Sequence, residues 1–346
     1  MKTILHILNT DRYSGAENVA ITIINYFNKY SSEYRLIYVS KDGPIRHILD
    51  NNKIEFEPIT SICRSEVRRV VSKWKPDIIH AHDFTASIYF AVFANSPIVI
   101  SHIHNNLPWL KRINKNSLIF CFSCFKYKYI LGVSPSVFDE FVFGHIFKNK
   151  EKVIGNPIDT SVVREKAKES TFDEEYDVVF LGRLAYQKNP LKFLSIISNV
   201  KDRIPNIKVA MIGEGELEQE VKDRILSLSL GDTVEMKGFM NNPYGILEKS
   251  RLLCMTSDWE GFGLVAVEAL SLGVPVVASP VGGIPTIICG NEGKLCNSEK
   301  EFSDEICQIL TDEKYLKMRK QAALQRADEL NNIDIYMSWL KDIYSH

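Results

Sequence analysis

Two glutamates eight positions apart, Glu260 and Glu268, sit in the segment Ser257 to Gly283. Between them lie a Gly261-Phe262-Gly263 turn and the start of an apolar run, Leu264, Val265, Ala266 and Val267; Gly273 and a second apolar run, Val274 to Ala278, follow. A strand–loop–helix–strand unit is expected, with one carboxylate on the loop and one on the helix. A helix beginning near Leu264 leaves its first N–H groups unpaired and turns its positive dipole end to the loop, which suits phosphate. The two glycines let backbone approach a ligand closely. Glu268, about one turn in, is placed to accept two ribose hydroxyls, and Glu260 to reach a sugar. The alternative for Glu268 is a solvent-facing stripe, but its neighbours are mostly apolar and leave that stripe narrow.

A second group lies upstream. The apolar strand Asp177–Leu181 ends in Gly182-Arg183-Leu184, and Lys188 follows. Arg presents a planar fork to phosphate oxygens and Lys a mobile point charge. At the carboxyl end of a strand the two could stabilise a departing diphosphate; alone, they could equally be surface charges beside a turn.

The elements that must hold these residues alternate along the chain. Strands are expected at Thr3–Leu8, Arg35–Val39, Ile54–Glu57, Ile78–His80, Ile98–Ile100 and Tyr129–Val133. A second series follows at Asp177–Leu181, Lys208–Ile212, Thr233–Met236, Leu252–Met255 and Val274–Val277, and helical patterns such as Ala16–Phe27 and Val67–Trp74 fall between strands. Repeated βα units imply parallel sheets covered on both faces. At 346 residues the chain is long for one core. Asn156-Pro157 and the charged stretch to Glu175 interrupt the pattern, so domains are expected at 1–156 and 157–330, with a terminal helix in 331–346 that could pack back on the first. Two doubly wound Rossmann-like domains with a cleft between them are the expected α/β architecture, ligands binding outside the carboxyl ends of the strands.

Glu260 and Glu268 as E-x7-E, with Gly182-Arg183-Leu184…Lys188-Asn189, resemble the signature of the family 4 retaining glycosyltransferases, which have the GT-B fold. The resemblance extends over most of the chain. It includes the first loop, Ser14-Gly15-Ala16-Glu17, the runs His80-Ala81-His82-Asp83 and Asn156-Pro157-Ile158-Asp159, and the short glycine loop Gly213-Glu214-Gly215. Thr286 departs from it, standing where many members have Glu. The resemblance implies that Arg183 and Lys188 hold the donor diphosphate, Glu268 the ribose and Glu260 the donor-sugar hydroxyls. Backbone of Gly261, Phe262, Gly263, Leu264 and Val265 would meet phosphate or sugar, and that of Gly15 the donor phosphates or the acceptor. His104, in Ser101-His102-Ile103-His104-Asn105, matches the family's cleft histidine, with His102 as second choice; His80 and His82 are read equally as functional or structural. The resemblance also implies retention at the anomeric carbon by a front-face mechanism. Metal and other cofactors are not expected, since no D-x-D run occurs to bind a metal at the diphosphate.

The remaining features bound the partners. With 42 basic against 43 acidic residues, no global field argues for nucleic acid. Seven scattered cysteines fit reduced thiols in a cytoplasmic protein, and the lone Cys121-x-x-Cys124 lacks a second ligand pair. Trp109, Lys111, Arg112, Phe120, Phe122, Phe125, Lys126, Tyr127, Lys128 and Tyr129 form an aromatic and basic stretch. It reads either as a peripheral contact with the inner face of the membrane, where a lipid-linked sugar or growing glycan would be the acceptor, or as core with solvated lysines. A sugar-nucleotide epimerase and a non-catalytic sugar-nucleotide binder are the competing classes; the first would release an altered sugar nucleotide without an acceptor, the second would not turn over.

Overall fold

The computed structural model describes residues 1–94 and 98–345. They divide into two compact units, Met1–Pro157 together with the C-terminal stretch from Ile333, and Ile158–Asn332. The first unit holds strands β1 (Lys2–Ile7), β2 (Tyr34–Lys41), β3 (Phe56–Ile59), β4 (Ile78–Ala81), β5 (Ile98–Ile103), β6 (Tyr129–Gly132) and β7 (Glu151–Val153). Its sheet is parallel throughout, in the order β3-β2-β1-β4-β5-β6-β7. The second unit holds β8 (Tyr176–Leu181), β9 (Val209–Ile212), β10 (Val234–Gly238), β11 (Ser250–Met255), β12 (Val276–Ala278) and β13 (Gly293–Leu295), parallel in the order β10-β9-β8-β11-β12-β13.

Burial on both faces explains the strand sequences. In the second unit Val178 and Phe180 pack on one face with Phe193, Leu194 and Ile197 of the helix Pro190–Lys201 and Phe302 of the helix Glu299–Thr311. Val179, between them, points the other way, into a cluster with Ala266 and Leu270 of the helix Leu264–Ser271 and Ala323 of the helix Glu313–Leu330. Successive strand residues face opposite sides, so a strand covered twice must be apolar at every position rather than at alternate ones.

The largest differences from the sequence expectation fall at the sheet edges. The third strand is expected at Ile54–Glu57 but runs Phe56–Ile59, through Pro58. It is an edge strand, where a residue without an N–H is tolerated. Strands β7 and β13 have only three residues each and were not expected; Glu-Lys-Val and Gly-Lys-Leu carry little apolar signal. Strand β12 begins at Val276, after Pro275, rather than at Val274.

The aromatic and basic stretch is also divided. Phe120 and Tyr127 do not belong to any surface: they are buried in the first unit's core, where their rings meet. The helix Lys115–Cys124 instead turns Leu118, Ile119 and Phe122 outward, and Phe125 follows them. Cys121 and Cys124 are buried free thiols in that helix. Among the described residues no helix is long and apolar enough to cross a membrane.

A buried charge network ties the last two helices of the second unit to β13. Arg319 donates to Glu305 at 2.6 Å and to the Gly293 carbonyl at 2.5 Å, while Lys294 reaches the other Glu305 oxygen at 3.0 Å. Breaking a buried ion pair by removing one partner strands the other charge. Because Lys294 would remain, Arg319→Ala is expected to lower stability by about 3 kcal/mol, the low end of that effect. Thermal and urea unfolding check it; a loss below about 1 kcal/mol, the size of an exposed pair, would show that Lys294 alone suffices.

Candidate functional site

The order of the second sheet places β8 beside β11. The chain passes from β8 outward through β9 and β10, then returns to continue from β11 on the other side. Such a reversal leaves a gap between loops at the carboxyl ends of the two central strands, where ligands of open α/β sheets bind. The loop after β8 carries Arg183 and Lys188; the loop after β11 carries Glu260.

These loops are joined by a set of hydrogen bonds. Gln187 Nε2 donates to the Trp259 carbonyl at 3.1 Å, and the Asp258 N–H donates to the Gln187 carbonyl at 2.9 Å. The Thr256 hydroxyl lies against the carbonyls of Lys188 and Asn189, at 3.1 and 3.0 Å. Asn189 Nδ2 donates to the Asp258 carboxylate at 3.1 Å, while Asn189 Oδ1 caps the helix Pro190–Lys201. The central contact is an ion pair between Lys188 Nζ and Glu260 Oε1, whose side chains are only 18% and 6% exposed. Ser257 Oγ donates to the same oxygen at 2.7 Å. Glu260 therefore leaves water with both a cation and a hydroxyl as partners, as a nearly buried carboxylate must. Arg183 is exposed, its guanidinium reaching Gln187 Oε1 only at 3.5 Å.

Gly263 begins the next helix with φ +102°, a conformation that disfavours any residue with a Cβ. The helix Leu264–Ser271 follows directly with no side-chain cap on its first turn, where the Ala266 N–H donates back to the Gly263 carbonyl at 2.9 Å and those of Leu264 and Val265 precede it. Gly282 closes the loop from the other side: a Cβ there would lie 1.9 Å from the Glu260 carbonyl. Glu268, on the second turn, is half-buried and accepts a hydrogen bond from the Tyr244 hydroxyl at 3.1 Å. Burial raises its pKa, and the Tyr244 bond and the charges of Lys166 and Lys188 oppose that rise. Tyr244 and Ser257 are polar partners that the sequence reading passed over; Ser257 lay inside the segment it singled out, whereas Tyr244 has no local signal.

The first unit contains a different kind of polar cluster. His6 on β1, His80 on β4 with His82 directly after it, and His102 on β5 with His104 after it share one face of the sheet, His6 and His80 being register partners. Their side chains form a single chain with Tyr344. His102 Nδ1 meets His80 Nε2 at 3.1 Å, and His80 Nδ1 meets the Tyr344 hydroxyl at 2.6 Å. That hydroxyl lies 3.5 Å from His6 Nε2, His6 Nδ1 lies 2.9 Å from His82 Nε2, and His82 Nδ1 lies 3.0 Å from His104 Nε2. All but His104 are almost fully buried, and burial holds every imidazole neutral, with His6 and His104 lowered to about 3. His102 Nε2 is buried with no hydrogen-bond partner among the described residues. A neutral imidazole has one N–H and one lone pair. Leaving the lone pair of His102 unpaired, rather than an N–H, directs every bond one way and makes His104 Nδ1 the terminal donor. His80 and His82, left between two readings by the sequence, are internal links of this chain. His6 and Tyr344 were not expected in it.

Gly15 begins the helix Gly15–Tyr30, and Ser14 before it hydrogen-bonds Glu17. Glu17 is 2% exposed. Burial, with a smaller push from the Asp83 charge, raises its pKa to about 7.

A model for glycosyl transferases group 1 matches residues 162–326, and one for glycosyltransferase family 4 matches residues 13–162. An α-1,4-N-acetyl-D-galactosaminyltransferase of Campylobacter jejuni, named for a glycan on diphospho-undecaprenol, is 30% identical over 288 residues, covering 80% of this chain and 76% of the relative. A UDP-Gal:α-D-GlcNAc-diphosphoundecaprenol α-1,3-galactosyltransferase of Escherichia coli is 22% identical over 377 residues, covering 99% and 96%. Among solved structures, Anabaena HepE in complex with UDP and glucose aligns with a TM-score of 0.86 at 20% identity over 100% of both chains. S. aureus TarM aligns with a TM-score of 0.81 at 13% identity over 99% of both. These likenesses show the fold, two parallel-sheet α/β units of the GT-B type.

The state of Glu17 sets a pH dependence. The folded protein keeps this proton to about pH 7, whereas the unfolded chain releases it near 4.5. The folded state thus binds the extra proton between those values, and its stability falls as pH rises through that window, by a total of about 3 kcal/mol. Glu17→Gln keeps an acceptor for Ser14 and removes the titration. Its thermal midpoint should exceed that of wild type at pH 8 and approach it at pH 4.5 to 5; a difference that does not change with pH would refute the assignment.

Proposed function

The chain belongs to glycosyltransferase family 4, and on that footing we propose that it moves a hexosyl unit from a nucleoside-diphosphate sugar to a hydroxyl acceptor with retention at the anomeric carbon, without a metal ion at the diphosphate. The carrying observation is the Lys188–Glu260 pair at the adjacent ends of β8 and β11, beside the open first turn of the helix Leu264–Ser271. A diphosphate offers Lys188 a denser negative charge than one carboxylate. Binding would draw Lys188 to the phosphate oxygens, with Arg183 and the helix N–H groups as further donors. Glu260, released from Lys188 but still held by Ser257, would then accept hydroxyls of the transferred sugar. Glu268 would exchange its bond from Tyr244 for the ribose hydroxyls.

In this reading the acceptor oxygen bonds to the anomeric carbon on the face from which the diphosphate leaves. The bond from that carbon to the diphosphate oxygen breaks, and the acceptor proton passes to the leaving oxygen. Configuration is kept because both events share one face. Lys188, Arg183 and the helix N–H groups meet the charge that develops on the diphosphate, a term that often dominates catalysis. His104, presenting Nδ1–H, is assigned to orient a sugar or acceptor hydroxyl by donating to it, not to act as base. The undecaprenol-linked substrates named for the relatives support a lipid-linked or growing glycan as acceptor at the inner face of the membrane. Outward-facing Leu118, Ile119, Phe122 and Phe125, with Lys115 and Lys126 alongside, suit that interface.

Nucleotide release with matched donor and acceptor tests the reaction. Lys188→Ala is expected to slow turnover by about 10²–10³-fold, the effect of losing one preorganised charge stabiliser, and Glu268→Ala to weaken nucleoside-diphosphate binding by about tenfold or more. Turnover of Lys188→Ala within a few-fold of wild type would exclude the assigned site. For the membrane, co-sedimentation with vesicles of anionic phospholipid should exceed that with zwitterionic ones and fall in Phe122→Ser with Phe125→Ser. Equal binding in every case would remove the interface.

A further inference from the structure

We infer that His82, His102 and His104 form a binding site for one borderline transition-metal ion of the zinc class, within the first unit and separate from the diphosphate-binding residues. One ring nitrogen from each of the three can be chosen so that all lie within 4.8 Å of one another. His82 Nδ1 and His104 Nε2 are already 3.0 Å apart; two ligands about 2.0–2.1 Å from a tetrahedral ion lie ~3.3–3.4 Å apart. His102 supplies the third nitrogen without breaking any bond, because its Nε2 is buried and unpartnered. An ion there would satisfy the orphaned atom, displace the His82–His104 hydrogen bond and reverse the bonds linking His82, His6 and Tyr344.

The surroundings suit ligation. A metal-binding imidazole usually donates its second N–H to a fixed partner, which sets its tautomer. Here the second nitrogens are already engaged, His102 Nδ1 with His80 and His82 Nε2 with His6. With metal on His102 Nε2 and His82 Nδ1, both outer bonds run outward as donors. His80 and His6 then each donate onward to Tyr344, whose oxygen has two lone pairs to receive them. In this arrangement the Tyr344 hydroxyl accepts twice and its own proton gives up the acceptor it has in the metal-free chain, His6 Nε2, a cost that ligation must exceed. Three imidazoles with no carboxylate or thiolate in the set select zinc, cobalt, nickel or copper over magnesium and calcium. His104, half-buried at the end of the chain, gives the route of entry.

Binding of the ion does not require the protein to be a transferase. Its consequence does: on the reading given above, an ion on His104 withdraws that ring from substrate, so zinc should inhibit turnover. The test uses the full chain, freed of metal by a chelator and titrated with Co²⁺. Wild type is expected to develop the intense visible bands of four-coordinate cobalt, saturating at a single equivalent, and to lose them on adding Zn²⁺. His104→Ala and His102→Ala should abolish the bands, and His47→Ala, an exposed histidine elsewhere, should bind as wild type. Should His102→Ala fail to fold, His104→Ala, at the half-buried end, still decides, provided its circular dichroism matches wild type. Absence of cobalt bands in wild type, or unchanged bands in folded His104→Ala, overturns the site. If no sugar donor supports transfer, the cobalt spectrum still reports on the site and only the inhibition is lost.

Discussion

Glu260 is a carboxylate almost out of water, and the loops of the second unit are arranged around its need for a counter-charge. A lone carboxylate at such a position would protonate or drag the loop into solvent. Lys188 supplies the charge from the neighbouring strand's loop and Ser257 a hydroxyl from its own. The backbone follows. Asn189, Gln187, Thr256 and Asp258 bond across the same gap, and Gly282 is small enough to admit the Glu260 carbonyl against the third loop. The first turn of the helix Leu264–Ser271, which has no side-chain cap, starts between these fixed flanks. An ion pair of this type contributes specificity of arrangement more than net stability. That fits a place where charges must be ready to change partners.

Much of this was legible in the sequence because buried parallel strands are legible. Runs such as Val178-Val179-Phe180 admit one reading, since they are covered on both faces. The edges were not legible: β7 and β13 contribute three residues with one covered flank, and Pro58 in β3 contradicts a central strand but not an edge one. The site residues were found by type and spacing, but their pairing was not. Lys188 and Glu260 meet only because β8 and β11 are neighbours, and strand order is a property of topology that local patterns do not carry. Glu260 was therefore read as free to reach a sugar, whereas its carboxylate is already engaged by Lys188 and Ser257.

The histidine chain had a stronger signal than was drawn from it. His80 and His82, like His102 and His104, are two positions apart, and that spacing puts both members of each pair on one face of a strand. With β4 and β5 adjacent, four imidazoles had to lie side by side, and register adds His6. What could not be read was Tyr344. It comes from the far end of the chain on the helix Ile333–Ser345, which packs against the first unit, with Lys2 donating to its last carbonyls at 2.8 and 2.9 Å. Tyr344 joins the two halves of the chain of rings, so the C-terminal helix acts on the histidines as well as covering apolar surface.

Both sheets reverse direction once, between β1 and β4 and between β8 and β11, and each reversal carries a polar cluster. The clusters solve the same burial problem in opposite ways. In the second unit opposite charges neutralise each other. In the first, burial works against charge: the imidazoles are kept unprotonated, and Glu17 holds its proton up to about pH 7. The two effects in the first unit have opposite pH signs. Buried neutral histidines bind fewer protons than the unfolded chain, so their contribution is full above about 6.5 and lost as pH falls through that value toward 3. Glu17 contributes in the reverse sense, between 4.5 and about 7. Near pH 6 they oppose one another. Below 4.5 Glu17 is protonated in both states and stops changing, while five imidazoles still resist the charge the solvent would give them. The acid limit of the first unit is therefore set by these histidines together with paired carboxylates such as Glu57, whose pKa Lys73 and Arg69 hold down against its burial.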